Sequence, residues 1–591
     1  MSIYFDVKED NNKLVFITDA EGNDVIRAPL LNKGTAFTEK ERNDLGLEGL
    51  IPPRILSIEK QIEKINQRYE RIGMIFNILK SINSTQQMPI LKKTIDISRF
   101  NFLRDLHDRN EILFYAFCYA NLEKILPIIY TPTVGEAVRR FSRDSARFRG
   151  IFLSPNNIDK VEKIFSHFRF KKPTIAVVTD NQGILGIGDQ GVGGIDISIG
   201  KLSLYVLGAG IRPWETLPLT LDVGTDNSQD LNDPYYLGYK SGRLTGEEYD
   251  SFIEKFVKGI TKKYPNILIQ WEDFSRQNAF TILDRYRYKV LSFNDDIQGT
   301  GSVVLAGIIN GLKISNEDLK DQRFVIYGAG AAGIGIARRI AACLRSKYNL
   351  SESKIYEKIA ILDSKGLVTD QRKVANYKKP FSKDKNFFKN WDVEDVSNIK
   401  LAEVIKNFNA TVLIGTSGQK KHFTNEIIKL MCNNTDRPLI FPLSNPTFNS
   451  EATPQEIYKA SKGKAIVATG SPFEPFNYNG KKIIVGQGNN FFIFPGVGLG
   501  AILIKESCYI NDEVFTEVAI TLSNMTPDSN IKKGIIYPNV VDIRKISAAV
   551  AHTTIKSISE KQGTEELSLQ EIKSKMWKPQ YHPIIKKHSN T

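Results

Sequence analysis

One segment of the sequence constrains the fold more than any other: an apolar run that leads through closely spaced glycines into a helical pattern, FVIYGAGAAGIGIARRIAACL. Gly328 permits a tight turn, Gly330 lets a pyrophosphate approach the backbone, and Gly333 lets helix and strand pack closely. At Ala331 and Ala332 the helix N-terminus offers amide donors and a positive dipole end to phosphate. The segment therefore predicts a Rossmann-like dinucleotide-binding domain.

The next apolar run, KIAILD, ends in Asp363, where a carboxylate would bind the adenosine ribose hydroxyls. Asp363 follows Gly333 by 30 residues, whereas the usual spacing is ~20. The helix and connection between them must therefore be longer than usual. A carboxylate repels a 2′-phosphate, which favours NAD, although Asp363 could instead be a simple turn residue.

Two acidic pairs follow two other strand-like runs. Glu272 and Asp273 follow ILIQW, and Asp295 and Asp296 follow VLSFN. The carboxyl ends of parallel strands lie at one edge of a sheet, so the two pairs could converge. Crowded buried carboxylates need a cation, and oxygen ligands alone suit Mg²⁺ or Mn²⁺. An alternative stays open: Asn294 and the aspartates after it could merely cap the following helix.

The rest of the pattern predicts an α/β fold in several domains, because 591 residues are too many for one core. Apolar runs near Ser417 and Asn445 continue the dinucleotide-binding sheet, and a glycine-rich return follows Asn489 and Asn490. The predicted domains are an N-terminal, mostly helical domain (1–145), a catalytic, metal-binding α/β domain with a parallel sheet (146–297), a Rossmann-like NAD(P)-binding domain (298–485), and a C-terminal segment that returns to the catalytic domain and ends in a helical tail (486–591).

Two short segments predict specific local structure. Residues 83–96 are polar and contain a proline, which predicts a loop or an insertion. Residues 174–189, TIAVVTDNQGILGIGD, predict a strand, a turn and a second strand.

Composition narrows the class of protein. The net charge is +14, but the lysines are scattered and no nucleic-acid-binding motif occurs, so a basic solvated surface is expected rather than a nucleic-acid partner. No uninterrupted apolar run suggests a membrane partner, and the N-terminal residues lack a signal-peptide pattern. A cytoplasmic location is expected, with the mitochondrial matrix as an alternative. The cysteines are far apart, which argues against a disulfide framework: Cys118, Cys343, Cys432 and Cys508.

With these segments in view, the chain resembles the malic enzymes and their close relatives, the malolactic enzymes, and it is most similar to the fungal and bacterial members. The resemblance covers nearly the whole chain. It is carried by the motifs LLNKGTAFT, GLIPP, YTPTVG, GIGDQGVGG, GKLSLY, DVGTDN, WEDF, FNDDIQGTG, GAGAAGIGIA, PLSNPT, ATGSPF, GQGNN and MWKPQY.

The resemblance implies oxidative decarboxylation of L-malate to pyruvate and CO₂ with reduction of NAD. It implies that a divalent metal is held by Glu272, Asp273 and Asp296, with Asp295 beside the site, where it would position or tune the base. It also implies that Lys201 is the catalytic base and Tyr130 the catalytic acid. Without the resemblance, Lys201 would be interpreted as a surface lysine and Tyr130 as a packed core residue.

The resemblance assigns further positions to substrate and cofactor. Asn445 and Asn490, with Asn489 adjacent, would hold the substrate carboxylate and the neighbouring cofactor. Arg109 matches a position that some relatives use for a fumarate activator, and a structural arginine is the alternative. A homodimer or homotetramer is implied as well.

The sequence departs from the family pattern at Gly183, where many malic enzymes carry an arginine that contacts malate. Malolactic enzymes also lack that arginine, so conversion of malate to lactate with tightly held NAD is an alternative. A non-catalytic NAD-binding regulatory protein is an alternative of another class. NADP is the alternative cofactor, because Ser364 and the Lys378–Lys379 pair are similar to features of NADP-using members.

Overall fold

The structure is a computed structural model that describes residues 5–10, 13–80, 88–144, 147–168, 172–504 and 509–587. The chain divides into two compact units, each built from more than one segment. Unit 1 comprises Met1–Thr174, Val192–Pro265 and Lys575–Thr591, and unit 2 comprises Ile175–Gly191 and Asn266–Ser574.

The strands, in chain order, are β1 (Phe5–Asp10), β2 (Lys13–Thr18), β3 (Ile151–Leu153), β4 (Ile175–Thr179), β5 (Thr216–Leu221), β6 (Leu268–Trp271), β7 (Ser292–Asn294), β8 (Phe324–Tyr327), β9 (Ile359–Asp363), β10 (Gly366–Leu367), β11 (Val412–Gly415), β12 (Leu439–Pro442), β13 (Ile466–Thr469), β14 (Phe476–Tyr478), β15 (Lys481–Ile483), β16 (Gly486–Gln487) and β17 (Ile584–Lys586).

The α-helices are α1 (Asn23–Arg27), α2 (Glu39–Asp44), α3 (Ile58–Lys80), α4 (Met88–Arg109), α5 (Glu111–Ala120), α6 (Leu122–Ile129), α7 (Thr133–Asp144), α8 (Val161–His167), α9 (Ile195–Leu204), α10 (Ser228–Asn232), α11 (Gly246–Lys263), α12 (Arg276–Tyr286), α13 (Thr300–Ser315), α14 (Ala331–Tyr348), α15 (Glu352–Tyr356), α16 (Lys385–Phe388), α17 (Leu401–Phe408), α18 (Asn425–Asn434), α19 (Pro454–Ala460), α20 (Phe494–Leu503), α21 (Asp512–Asn524), α22 (Asp528–Ile531), α23 (Ile543–Gln562) and α24 (Leu569–Lys575).

Unit 1 is mostly helical. Its α9 is buried along its whole length, as its sequence IDISIGKLSL suggests, and a π-helical turn over Tyr205–Ala209 continues it. A small sheet pairs β2 antiparallel with β1 and parallel with β17. A second pairing joins β3 and β5 in parallel.

Unit 2 contains two sets of parallel strands. In one set β6 pairs with β4 and β7. The other is a seven-stranded sheet in the order β10-β9-β8-β11-β12-β13-β16, in which only β10 is antiparallel to its neighbour. The inner strands β11, β12 and β13 are buried at every residue, which is typical of a parallel sheet covered on both faces. The α/β prediction is confirmed.

Two helices of unit 2 approach each other closely because both carry glycine at the crossing. A Cβ on Gly301 of α13 would lie 2.7 Å from the carbonyl oxygen of Gly335 in α14. A Cβ on Gly335 would lie 2.2 Å from the carbonyl oxygen of Ile297. This contact places the N-terminal part of α14, which follows the glycine motif, against the π-helical turn over Asp295–Gly299.

Both local predictions were partly wrong. Helix α4 begins at Met88, so the loop predicted for 83–96 does not extend past that residue, and residues 83–87 lie outside the described part of the chain. Pro89 is compatible with the helix because it lies in the first turn, where its missing N–H needs no partner. After β4, the ILGIGD run forms only an isolated bridge between Ile184 and Gly188.

Other sequence predictions have the following outcomes. Cys118 and Cys343 are buried free thiols and Cys432 is also free, while Cys508 lies outside the described residues. Gly191–Ala209 and Asp295–Ser315 are long and apolar enough to cross a membrane, but 100% and 78% of their most apolar windows are buried inside the protein, as in core helices. The four domain ranges stay predictions.

Candidate active site

The two acidic pairs of unit 2 lie at the carboxyl ends of neighbouring parallel strands. Trp271, the last residue of β6, pairs with Asn294, the last residue of β7. Glu272 and Asp273 therefore leave the sheet beside Asp296. One carboxylate oxygen from each of these three residues lies within 4.8 Å of the others, so the predicted convergence is confirmed.

Backbone and side-chain contacts hold this acidic cluster in place. The backbone N–H of Asp273 donates to Asp296 Oδ2 at 2.8 Å, and Gln270 Nε2 donates to Glu272 Oε2 at 2.7 Å. Asp273 has a left-handed backbone, with φ of 56°, which turns the chain sharply after the strand. Glu272 and Asp273 are both buried.

The donor set fits a hard divalent cation. Three carboxylates within one another's reach, two of them buried, repel each other strongly unless a positive charge lies between them. The set contains oxygen donors and no histidine or thiol, which suits Mg²⁺ or Mn²⁺ rather than zinc. Glu272, Asp273 and Asp296 could therefore hold such a cation.

Gly183 belongs to the same neighbourhood, in the loop that follows β4. Its backbone N–H donates to the carbonyl oxygen of Asp273 at 2.7 Å, and Leu185 N–H donates to Asp273 Oδ1 at 3.0 Å. A Cβ on Gly183 would lie 2.5 Å from the carbonyl oxygen of Phe274. The backbones are so close that this position excludes any side chain without a local shift.

The structure divides the roles of the residues after β7. Asn294 is the helix cap, since its Oδ1 accepts from the N–H of Ile297 at 3.0 Å. Asp295 is fully buried, and Asn490 Nδ2 donates to its Oδ2 at 3.0 Å and to Thr300 Oγ1 at 2.9 Å. The helix cap and the acidic cluster are thus formed by different side chains.

Tyr130 and Lys201 lie together in unit 1. Tyr130 ends α6, and Lys201 lies on α9, where Gly200 allows close packing: a Cβ there would be 3.3 Å from the carbonyl oxygen of Ile129, the residue before Tyr130. The Lys201 ammonium lies 5.4 Å from the centre of the Tyr130 ring. Only 1% of Lys201 is exposed, so its interpretation as a surface lysine is wrong, whereas Tyr130 is buried as a core tyrosine would be.

The glycine motif has the geometry that the sequence predicts. Gly328 has φ of +126°, and a Cβ on it would lie 2.6 Å from the Thr416 backbone. A Cβ on Gly333 would lie 1.8 Å from the Gly328 carbonyl oxygen, so helix and strand could not pack with any larger residue. Gly330 caps α14, whose first residues are Ala331 and Ala332.

Asp363 lies at the end of β9, and two cations bind it. Arg372 Nη2 lies 2.7 Å from its Oδ1, and Lys378 Nζ lies 2.8 Å from its Oδ2. Burial acts to raise the pKa of Asp363, but the hydrogen bonds from Arg372 and Lys378 outweigh burial and hold the pKa below its usual value. The long spacing from the glycine motif is explained by α14 and α15.

Glu451 is a site residue that sequence reasoning missed. It is fully buried and joins the ends of two strands. Its Oε1 accepts from the N–H and the hydroxyl of Ser417, after β11, each at 2.9 Å, and from the Ser444 hydroxyl, after β12, at 2.5 Å. No local pattern around Glu451 indicates this role, because its partners are more than five residues away in the sequence.

The remaining predicted residues have the following surroundings. Asn445 Oδ1 accepts a hydrogen bond from the Ser471 hydroxyl. Asn489 Oδ1 accepts from the N–H of Phe491 at 2.9 Å and so caps a short 3₁₀ turn. Arg109 is partly exposed and pairs with Asp105 at 2.8 Å. The roles in substrate, cofactor and activator binding stay predictions.

A parallel sheet that presents a glycine turn at the carboxyl end of a strand is the hallmark of dinucleotide-dependent enzymes, and this is the class to which fold and site assign the chain. Two family models then make the assignment narrower. "Malic enzyme, N-terminal domain" matches residues 107–287, and "Malic enzyme, NAD binding domain" matches residues 297–559. The chain belongs to the malic enzyme family.

Individual relatives agree with the family models. "NAD-dependent malic enzyme 3" of Bacillus subtilis (strain 168) is 41% identical over 574 residues, which cover 96% of this chain and 97% of the relative. "NAD-dependent malic enzyme" of Sodalis glossinidius is 39% identical and covers 98% of both chains. The crystal structure of Entamoeba histolytica malic enzyme shares the fold, with a TM-score of 0.53, 23% identity, and coverage of 83% of this chain and 87% of that chain.

Proposed function

We propose that the chain catalyses the NAD-dependent oxidative decarboxylation of L-malate to pyruvate and CO₂ with a divalent cation held by Glu272, Asp273 and Asp296. The observation that carries the metal requirement is the convergence of these three carboxylates within 4.8 Å. Family membership and NAD-dependent relatives support the reaction and the cofactor.

The acidic cluster suits malate as well as the cation. The C2 hydroxyl and the C1 carboxylate of malate form a chelating pair of oxygens for a hard ion. When bound, Mg²⁺ or Mn²⁺ supplies Lewis acidity to the C2 oxygen, which eases loss of the C4 carboxylate. The protein's own contribution is to hold the three carboxylates at fixed positions through Gln270, Leu185 and the Asp273 backbone.

We assign the proton transfers to Lys201 and Tyr130. Lys201 would take the proton of the C2 hydroxyl as hydride leaves C2 for NAD, and Tyr130 would deliver a proton to C3 after CO₂ is lost. A lysine is a useful base only in its neutral form, which burial favours, and Lys201 is buried. Asp295 keeps its proposed role of tuning the base, and Asn445 and Asn490, with Asn489, that of binding substrate and cofactor.

The cations at Asp363 support NADP as a second cofactor. Arg372 and Lys378 together outweigh the single negative charge of Asp363, so the end of β9 carries a net positive charge. The sequence argument that a lone carboxylate repels a 2′-phosphate therefore loses its force. We expect activity with NAD and weaker but measurable activity with NADP.

One assay tests the proposed function. The purified protein is incubated with L-malate, Mn²⁺ and either NAD or NADP, and pyruvate, lactate and reduced cofactor are quantified. Equal amounts of pyruvate and NADH are expected. Lactate without net NADH would identify the malolactic reaction that Gly183 leaves open, and no product of either kind would favour a regulatory protein. Lys201→Ala should abolish turnover while NADH binding persists.

We also propose a homodimer or homotetramer. Light scattering coupled to size exclusion should give two or four times the chain mass of 66.7 kDa. The cytoplasmic location, with the mitochondrial matrix as its alternative, stays a prediction that cell fractionation tests.

A further inference from the structure

Arg276 lies against the glycine motif from a different part of unit 2. It is the first residue of α12, directly after the N-cap Ser275 and three residues after Asp273 of the acidic cluster. A Cβ placed on Gly330 would lie 3.5 Å from Arg276 Nε and 3.8 Å from Arg276 Cδ. Arg276 therefore lies beside the glycine that a dinucleotide-binding turn keeps free of a side chain.

The guanidinium of Arg276 is not engaged elsewhere. Across the described residues, it forms no ion pair and donates no hydrogen bond, and it is exposed. Two other arginines of unit 2 do have carboxylate partners: Arg338 lies 3.8 Å from Asp284, and Arg372 binds Asp363. An arginine with five free donors can reach an anion at the glycine turn without first breaking a protein contact.

A ring stack fixes where α12 lies relative to the other cations. Phe280 of α12 stacks on Tyr377 with ring centres 4.6 Å apart and ring planes 14° apart. Tyr377 neighbours Lys378. Burial raises the pKa of Tyr377, while the Arg276 charge acts to lower it and the Asp363 charge to raise it, so both charges lie near its hydroxyl. Arg276 thus lies near the same tyrosine as Asp363, the carboxylate that Lys378 binds.

We propose that Arg276 binds the pyrophosphate of the nicotinamide cofactor and is a binding residue additional to the glycine motif. The proposal rests on NAD binding by unit 2. The pyrophosphate must approach the Gly330 backbone on the side where Arg276 lies, 3.5 Å from the position that a Cβ would take, and it carries two negative charges that a planar guanidinium binds in a bidentate way. A 2′-phosphate would instead lie beyond the ribose, near Asp363, where Arg372 and Lys378 are.

The test compares Arg276→Gln with Lys289→Gln. Lys289 is exposed and lies after the end of α12, so the control removes the same charge from the same helical region. Dissociation constants for NADH, NADPH and ADP are measured by fluorescence or calorimetry without malate. Arg276→Gln should weaken all three about tenfold, because all carry a pyrophosphate and a charge-assisted hydrogen bond is lost. The control should bind like the wild type.

Further measurements separate binding from folding and from the reaction. The thermal midpoint of Arg276→Gln should match the wild type, Arg276→Lys should restore part of the affinity, and the salt dependence of NADH binding should be weaker in Arg276→Gln. With malate, KM for NAD should rise about tenfold and kcat should fall less than threefold. Unchanged binding of NADH and ADP by Arg276→Gln would overturn the proposal, as would a loss confined to NADPH, which would place Arg276 at the 2′-phosphate. A wild type that binds NADH but leaves malate unchanged would refute the proposed function alone.

Discussion

Gly183 is a single position where the backbone rather than a side chain shapes the site. The loop after β4 reaches Asp273 through one backbone hydrogen bond and through the N–H of Leu185. A Cβ on Gly183 would meet the backbone oxygens of Phe274 and Asp273, so this backbone does not accommodate an arginine side chain without a shift. The departure in sequence is therefore coupled to the local path of the chain beside the acidic cluster.

Gly183→Ala should weaken metal binding. The added Cβ would meet the carbonyl oxygens of Phe274 at 2.5 Å and Asp273 at 2.9 Å, so the Asp273 backbone must shift. We expect the dissociation constant for Mn²⁺ to rise about tenfold, as a loss of ~1.4 kcal/mol would cause. Gly242→Ala is the control, because its nearest neighbour is 3.9 Å away. Equal Mn²⁺ affinity in both variants and the wild type would contradict this account of Gly183.

Lys383 is a buried lysine held between aromatic rings. Its ammonium lies 3.7 Å from the centre of the Tyr356 ring and 4.4 Å from that of Phe387, and it donates to the Tyr356 carbonyl oxygen. Burial lowers its pKa from 10.5 to about 7, against the opposing charges of Asp384 and Glu357. The folded protein therefore binds fewer protons than the unfolded chain between about pH 7 and pH 10.5.

The lowered pKa of Lys383 determines how the stability of the fold changes with pH. Because the folded pKa is depressed, the charged lysine destabilises the fold, fully below about pH 7 and progressively less as pH rises toward 10.5. Lys383→Met should raise the free energy of unfolding by about 2 kcal/mol at pH 6, and the gain should shrink toward pH 9. Denaturant unfolding at several pH values measures the free energy of unfolding of both proteins. Lys385→Met is the control, because Lys385 is exposed. A variant less stable than the wild type at pH 6 would show that the aromatic contacts outweigh burial.

At the scale of elements, the ends of β11 and β12 are held together by one carboxylate. Glu451 accepts hydrogen bonds from Ser417 after the first strand and Ser444 after the second. Both strand ends lie at the edge where a parallel sheet binds its cofactor. Glu451 is thus a positioning residue that acts through its two serine partners.

Glu451→Gln should impair cofactor binding more than catalysis. The amide retains one acceptor oxygen and points an NH₂ group at donors, which leaves buried groups unsatisfied. We expect KM for NAD to rise about fivefold with kcat changed less than twofold. Glu451→Asp should not restore the wild-type value, because its carboxylate is one carbon shorter. Steady-state kinetics measure KM for NAD and kcat in each variant. Glu426→Gln is the matched control, because Glu426 is exposed on α18. A kcat loss without a KM change would contradict the positioning role.

Helices and strands could be predicted where the sequence signal is local. The predictions failed where contacts with distant residues decide the structure. The strand, glycine turn and helix around Gly328 are fixed by short-range sterics, so sequence alone located them. The strand predicted over ILGIGD failed because those residues instead dock onto Asp273. Lys201 looked like a surface residue because its helix is buried on all sides by tertiary packing, which periodicity cannot show.

At the scale of the whole molecule, topology rather than sequence proximity assembles the metal ligands. Glu272 and Asp273 precede Asp296 by more than 20 residues, and the parallel pairing of β6 with β7 brings them together. The sequence could predict that these carboxylates converge, because the carboxyl ends of parallel strands lie at the same edge of a sheet. It could not supply the contacts of Gly183 or Glu451, whose partners are set by the path of distant loops.

The central claim is that these three carboxylates hold one divalent cation that malate chelates. Titration of the purified chain with Mn²⁺, followed by calorimetry or by the electron paramagnetic resonance of free Mn²⁺, tests it in the wild type and in Asp296→Asn. We expect one Mn²⁺ per wild-type chain, bound more tightly when malate is present, and at least tenfold weaker binding in the variant, which loses one charged ligand. Equal Mn²⁺ affinity in wild type and Asp296→Asn, unaffected by malate, would contradict the account.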